Sequence, residues 1–201
     1  LGSDALRTVH SGPGGVDVAA LAGRIAADRA AGLRPFAVIG TAGSVDLGRF
    51  DDLTALADLA AAEGLWLHVD GAFGAWTRLA ASPWRGLGEG IGRADSLALD
   101  FHKWMYVQYD CGLCLVRDEA AHRAAFAARP AYLAGQAEGL AGGEPWFCDY
   151  GVDLSRGARG LKVWAALAAL GPDRLGAAIT DNCRRAAQMA GLVEAEPRMA
   201  L

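Results

Sequence analysis

The strongest constraint on this chain is an ordered alternation of helical and strand periodicities. From Val16 to Ala30 apolar residues recur at helical spacing, 35–40 is a short apolar run, and 51–63 is helical again, with Asp51 or Asp52 placed to start it. Gly64 punctuates that helix, and Leu65-Trp-Leu-His-Val-Asp70 follows as a buried strand. Strand, helix and strand in this order predict a βαβ unit with a parallel sheet and a right-handed crossover. A third strand is expected at Ser96 to Asp100. A fourth, from Cys111 to Val116, follows the turn-like Tyr109-Asp110 on a connection short enough to run antiparallel. The fold class is therefore α/β, a mostly parallel sheet flanked by helices.

Beyond Asp118 the pattern is helical to about Ala128. A Gly-rich stretch follows from Ala134 to Asp153, long for a compact domain and so read as either a mobile functional loop or a disordered segment. Helices resume from about Arg156 to Ala169 and from Asp173 to Ala195. With 53% hydrophobic and 21% charged residues the chain can pack a core, and a net charge of −4 gives no footprint for a nucleic acid or an anionic membrane. No apolar run approaches the ~18 residues of a membrane span, and no secretory signal is visible, so the cytoplasm is expected. Four irregularly spaced cysteines argue against a disulfide scaffold; Cys111 and Cys114 have CxxC spacing but lie in a strand, and both are read as buried thiols. No metal site is expected.

Ligands of open α/β sheets bind beyond the carboxyl ends of the parallel strands. Those ends carry Gly40-Thr-Ala-Gly-Ser44, His68-Val-Asp-Gly-Ala-Phe73 and Asp100-Phe-His-Lys-Trp104. An acid at one strand end beside a lysine at the next is the arrangement that pyridoxal phosphate chemistry needs. The lysine amine forms a Schiff base with the cofactor aldehyde, and the carboxylate keeps the pyridine nitrogen protonated. Ala72 is small enough for a flat ring to lie close, and His102, Thr41 and Ser44 are phosphate or ring contacts whose individual roles stay open. No G-x-G-x-x-G follows a strand, which disfavours a nucleotide-binding Rossmann domain. The 19 basic residues comprise 17 arginines and two lysines, Lys103 and Lys162. Arginine supplies surface charge but cannot take over Schiff-base chemistry, so Lys103 has a chemical reason to be lysine. Lys162, near Arg156 and Arg159, is read as charge pairing or packing of its stem. His10 and His122 are read as surface residues, and Trp66, Trp76, Trp84 and Trp146 as core or interface bulk.

These segments, with Gly48-Arg-Phe-Asp-Asp-Leu53, Ala94-Asp-Ser96, Leu154-Ser-Arg156 and Arg159-Gly-Leu-Lys-Val-Trp164, resemble the group II pyridoxal-phosphate-dependent amino-acid decarboxylases, which include the aromatic-amino-acid and glutamate enzymes. The resemblance runs along the whole chain in family order. It implies part of a fold-type I transferase large domain over 1–195, with 196–201 as the start of a small C-terminal domain. It further implies the cofactor pyridoxal 5'-phosphate, a small amino-acid substrate and a homodimer with active sites at the subunit interface. Carried across, it makes Lys103 the Schiff-base lysine, Asp70 the partner of the pyridine nitrogen and Ala72 the residue beneath the ring. His102 falls near the phosphate, Ser44 in a segment of cofactor-side hydroxyls, and His68 in a supporting position.

Asp100-Phe101 departs from the Asn-Pro of many members and resembles a bacterial branch; it removes an amide that could serve the phosphate. The family's ring-stacking histidine and phosphate cradle are expected upstream of Leu1, so the chain is read as a piece of a longer protein. In the family a loop tyrosine protonates the carbanion after carbon dioxide leaves. Here Phe147 falls near that place and Tyr150 is the nearest phenol, which keeps two reactions open: decarboxylation to an amine first, and oxidative deamination to an aldehyde second. A non-catalytic remnant is the reading from a different class.

Overall fold

The structure is a computed structural model that describes residues 2–126, 138–139, 143 and 145–199. A small hairpin pairs β1 (Ser11–Gly12) with β2 (Gly15–Val16). The main sheet has the order β3 (Ala37–Thr41), β4 (Trp66–Asp70), β5 (Ser96–Asp100) and β6 (Gly112–Val116). The first three strands are parallel and β6 is antiparallel to β5. The helices are α1 (Val18–Ala30), α2 (Leu53–Glu63), α3 (Glu119–Phe126) and α4 (Arg159–Ala195).

Local chemistry explains the boundaries. Asp17 caps α1 and Asp52 caps α2, each carboxylate accepting a first-turn backbone N–H at 2.9 Å. Gly64 closes α2 in the left-handed region at φ 63. Within α4, Gly171 at φ 71 and ψ 164 breaks the helix just before Pro172, which marks the junction expected from the sequence. The first half starts at Arg159, three residues later than expected, after the irregular 151–158 segment. Residues 127–128 of the expected third helix and most of 134–144 lie outside the described residues.

Two cores result. In the first, Val38, Leu67 and Val69 on one sheet face pack with Ile25 of α1 and Leu53 and Leu56 of α2. In the second, Met105, Val107 and Cys111 from the connection after β5 pack with Val163, Leu175 and Ile179 of α4. The opposite sheet face carries Ile39, His68, Ser96, Asp70, Ala98 and Cys114, which in-register pairing aligns. Ile39 there is 61% exposed. This corrects one expectation: Cys111 is buried, but Cys114 is exposed, because it lies on β6 at the end of the strand order, where residues 112–115 are exposed on both faces. His122 is also corrected, since it is half-buried between Phe126 and Tyr150 and its Nε2 lies 3.0 Å from the Tyr150 carbonyl. No described helix is long and apolar enough to cross a membrane.

Gly176 lets α4 dock against the turn at Gly74–Leu79: a Cβ there would lie 2.3 Å from the Leu79 carbonyl oxygen. Gly191, on the same helix, faces open space. Gly176→Ala gains up to about 1 kcal/mol of helix propensity but incurs roughly 1–3 kcal/mol of overpacking, so it should lower stability. Gly191→Ala should raise it by about 0.5–1 kcal/mol. Urea unfolding of the two variants beside the parent checks both signs.

Candidate active site

Parallel pairing delivers three chain segments to one sheet edge. Thr41 pairs with Asp70, and Asp70 with Ala98, two residues before Asp100 on the same face. The loops after β3 and β4 are stapled together, with Ala42 N–H donating to the Asp70 carbonyl at 2.8 Å and Gly74 N–H to the Ala42 carbonyl at 2.9 Å. A Cβ on Gly74 would come within 2.5 Å of that same carbonyl oxygen, so only glycine permits the contact.

Asp70 is exposed at the end of β4, and its Oδ1 accepts the Ala72 N–H at 3.1 Å. Ala72 is half-buried just beyond it. Ser44 accepts the Arg49 N–H on its hydroxyl at 3.1 Å, closing the turn after Thr41. The turn after β5 carries the lysine. Lys103 Nζ lies 2.8 Å from Asp100 Oδ2, and His102 Nε2 lies 3.9 Å from the same oxygen. His102 Nδ1 is 3.0 Å from both the N–H and the carbonyl of Cys111. When Nδ1 accepts from that N–H, the ring proton sits on Nε2, facing Asp100. Tyr109 packs edge-on against the His102 ring at 4.6 Å. The Gly112 position, where a Cβ would meet Asp100 Oδ1 at 3.0 Å, leaves room for this carboxylate.

Thus Thr41, Asp70, Ala72, Asp100, His102 and Lys103 gather at the carboxyl ends of β3, β4 and β5. His68 stands lower on β4, where Ser96 Oγ lies 2.8 Å from His68 Nδ1 and accepts the Trp66 indole N–H at 2.8 Å. Lys162 lines a shallow groove with Asp110 and Arg159. Arg159 donates to Asp110 at 3.2 Å, which holds the Asp110 carboxyl below its ordinary range. Phe147 is exposed with the Arg156 guanidinium 4.7 Å over its ring, whereas the Tyr150 hydroxyl donates to Glu119 at 2.6 Å.

Sequence reasoning missed three supporting groups. Asp51, read as a helix start and as part of the Gly48-Arg-Phe-Asp-Asp-Leu53 segment, accepts the Val16 N–H on Oδ1 and the Thr41 N–H on Oδ2, both at 2.7 Å. It therefore fixes the backbone at the end of β3, a role that the Gly48–Leu53 segment did not by itself disclose. Ser96 and Asn182 are the others: Ser96 stood in the Ala94-Asp-Ser96 segment with no role assigned to it, and no motif contains Asn182.

Comparison with known proteins adds a family match: the pyridoxal-dependent decarboxylase conserved domain fits residues 2–201. The chain is 40% identical over 156 residues to an aromatic-L-amino-acid decarboxylase of Bacillus atrophaeus, covering 78% of this chain and 32% of that protein. Among solved structures, Oryza sativa TDC with PLP and tryptamine superposes with a TM-score of 0.78 at 30% identity, covering 94% of this chain and 38% of that one. Rhodiola rosea 4-hydroxyphenylacetaldehyde synthase superposes at 0.82 with 26% identity, covering 98% and 39%. The chain spans about a third of the length of the curated relatives it matches.

Two outcomes follow from the local chemistry. Asp51→Asn keeps one acceptor and turns an NH2 towards a buried-edge N–H, so it should cost about 1–3 kcal/mol in denaturant unfolding. The Glu119 carboxylate raises the Tyr150 phenol above its ordinary ionisation range. The stabilisation from this bond is complete below the ordinary phenol range and is lost as pH rises through the raised value. In ultraviolet titration, subtracting Tyr150→Phe from the parent should isolate one late transition; an ordinary phenol transition would contradict the assignment.

Proposed function

Because the chain belongs to the pyridoxal-dependent decarboxylase family, we propose that it forms part of an enzyme that removes the α-carboxylate of an L-amino acid as carbon dioxide, leaving an amine. The observation that carries this is the convergence of Asp70 and the Asp100–Lys103 pair at adjacent parallel strand ends. A primary amine, an exposed carboxylate, an imidazole and a small residue at one sheet edge suit a cofactor with an aldehyde, a ring nitrogen and a phosphate. Bound there, pyridoxal 5'-phosphate supplies a ring that accepts the electron pair released when the carboxylate leaves.

The chain's own residues then divide the work. Lys103 holds the cofactor through Nζ, and Asp100 keeps that amine in place beforehand. Asp70, oriented by the Ala72 N–H, holds a proton at the ring nitrogen. Ala72 lets the ring lie close, and His102, braced by Cys111 and Tyr109, stands on the phosphate side with Thr41 and Ser44. A homodimer belongs to the same reading, supported by the exposed row Leu161, Trp164, Leu167 and Leu170 on α4. The cytoplasm remains our proposal for its compartment, supported by cysteines that stand as free thiols.

A second reading, aldehyde formation with release of ammonia and peroxide, is favoured by the Phe147–Tyr150 segment. Its phenol is engaged by Glu119, and the exposed ring is Phe147. Borohydride reduction of the full-length protein with pyridoxal phosphate should fix the cofactor on Lys103, and Lys103→Ala should abolish both labelling and turnover. Labelling at another residue would refute the assignment. Product analysis under oxygen separates the reactions, since decarboxylation releases an amine without peroxide.

A further inference from the structure

The turn that carries Lys103 is held from two sides. On the sheet side, the Phe101 N–H donates to the Cys111 carbonyl at 2.9 Å and the Val107 N–H to the Phe101 carbonyl at 3.1 Å. On the other side stands Asn182, in the second half of α4. Its Oδ1 accepts the Trp104 indole N–H at 2.9 Å and also the Tyr106 hydroxyl. Both donors follow the lysine in sequence, one and three residues after it, so a single side-chain oxygen gathers both ends of the short arc just beyond Lys103.

That arc resists its own geometry. Tyr106 sits at φ 58, a left-handed conformation that costs a non-glycine residue of order 1–3 kcal/mol. Its N–H donates to the Lys103 carbonyl at 3.2 Å, so the strained residue closes the turn directly onto the lysine backbone. Met105, between the two donors, is 2% exposed in the core that α4 builds. Trp104 is further fixed by its ring packing on Phe73, 4.9 Å between centroids, which links the turn to the loop beyond Asp70.

We propose that Asn182 is a positioning residue for Lys103: by accepting from Trp104 and Tyr106 it holds the strained turn so that Nζ is presented at the strand edge. The inference rests on Lys103 being the residue that captures the cofactor. Asn182 touches neither the lysine amine nor any reacting atom; it acts through the turn. Loss of its oxygen leaves two donors without their acceptor and lets Tyr106 relax, which moves Lys103 without dismantling the sheet.

The test uses full-length protein and three variants. Asn182→Leu keeps the volume and removes the oxygen, Asn182→Asp keeps an acceptor, and Thr180→Val loosens the same helix elsewhere. Thr180 receives the Ala81 N–H at 2.9 Å and makes no bond to the lysine turn. Covalent capture of added pyridoxal phosphate is followed by its visible absorbance, by the pH midpoint of that band, and by mass mapping after borohydride reduction.

We expect Asn182→Leu to slow capture about tenfold or more, given how steeply reaction depends on placement, and to shift the pH midpoint. Asn182→Asp should restore most of the rate. Thr180→Val should lower the melting temperature while capture stays near the parent rate. Capture by Asn182→Leu at the parent rate with an unshifted midpoint would overturn the inference, as would equal slowing in Thr180→Val. If the unmutated protein carries no label on Lys103, the inference and the reading beneath it fail together; label on Lys103 with an indifferent Asn182 fails the inference alone.

Discussion

Register in a parallel sheet is the constraint on which the rest depends. Once Thr41, Asp70 and Ala98 stand side by side, every residue that follows them leaves the sheet at the same edge. No long-range recognition between the catalytic candidates is then required, because backbone hydrogen bonds have already set their separation. The stapling of the first two loops at Ala42 and Gly74 extends that control beyond the strands, and it depends on glycine having no side chain.

The sheet's margins are kept in order by carboxylates acting on backbone rather than on charge. Asp51 serves two N–H groups from different segments, and Asp95 Oδ2 accepts the Leu67 N–H at 2.8 Å while its own N–H donates back to the Leu67 carbonyl. Asp51 acts at the carboxyl end of β3 and Asp95 at the opposite margin, where β4 and β5 begin, so backbone polar groups at both margins of the sheet are satisfied within the chain. Acidic residues at the sheet's margins thus have two distinct occupations. Asp70 and Asp100 face outward with carboxylate oxygens near the strand edge, whereas Asp51 and Asp95 are spent on architecture.

Much of this was legible beforehand because its causes are local. Strand β5 falls at its expected bounds, Gly64 ends α2 as expected, and the Gly171-Pro172 pair divides α4 where the pattern lapsed. The candidate site residues were legible as strand-end residues, since βαβ order brings consecutive strand ends together. What escaped notice depends on partners distant in sequence. Asn182 meets Trp104 across 78 residues and Asp51 meets Val16 across 35, and periodicity carries no trace of either. Cys114 and His122 were misjudged for a related reason: a strand or helix pattern says which residues share a face, but not whether anything covers it.

The two cores divide the site between them. Asp70 follows a strand packed in the first, while the Lys103 turn is buried with α4 in the second. The two therefore have the makings of separate cooperative units, each able to open at its own free energy and visible as such in hydrogen exchange. A molecule gripped at one end by Asp70 and at the other by Lys103 would act as a molecular rivet between them. Its binding energy would then be expressed as added protection shared by α4 and the sheet.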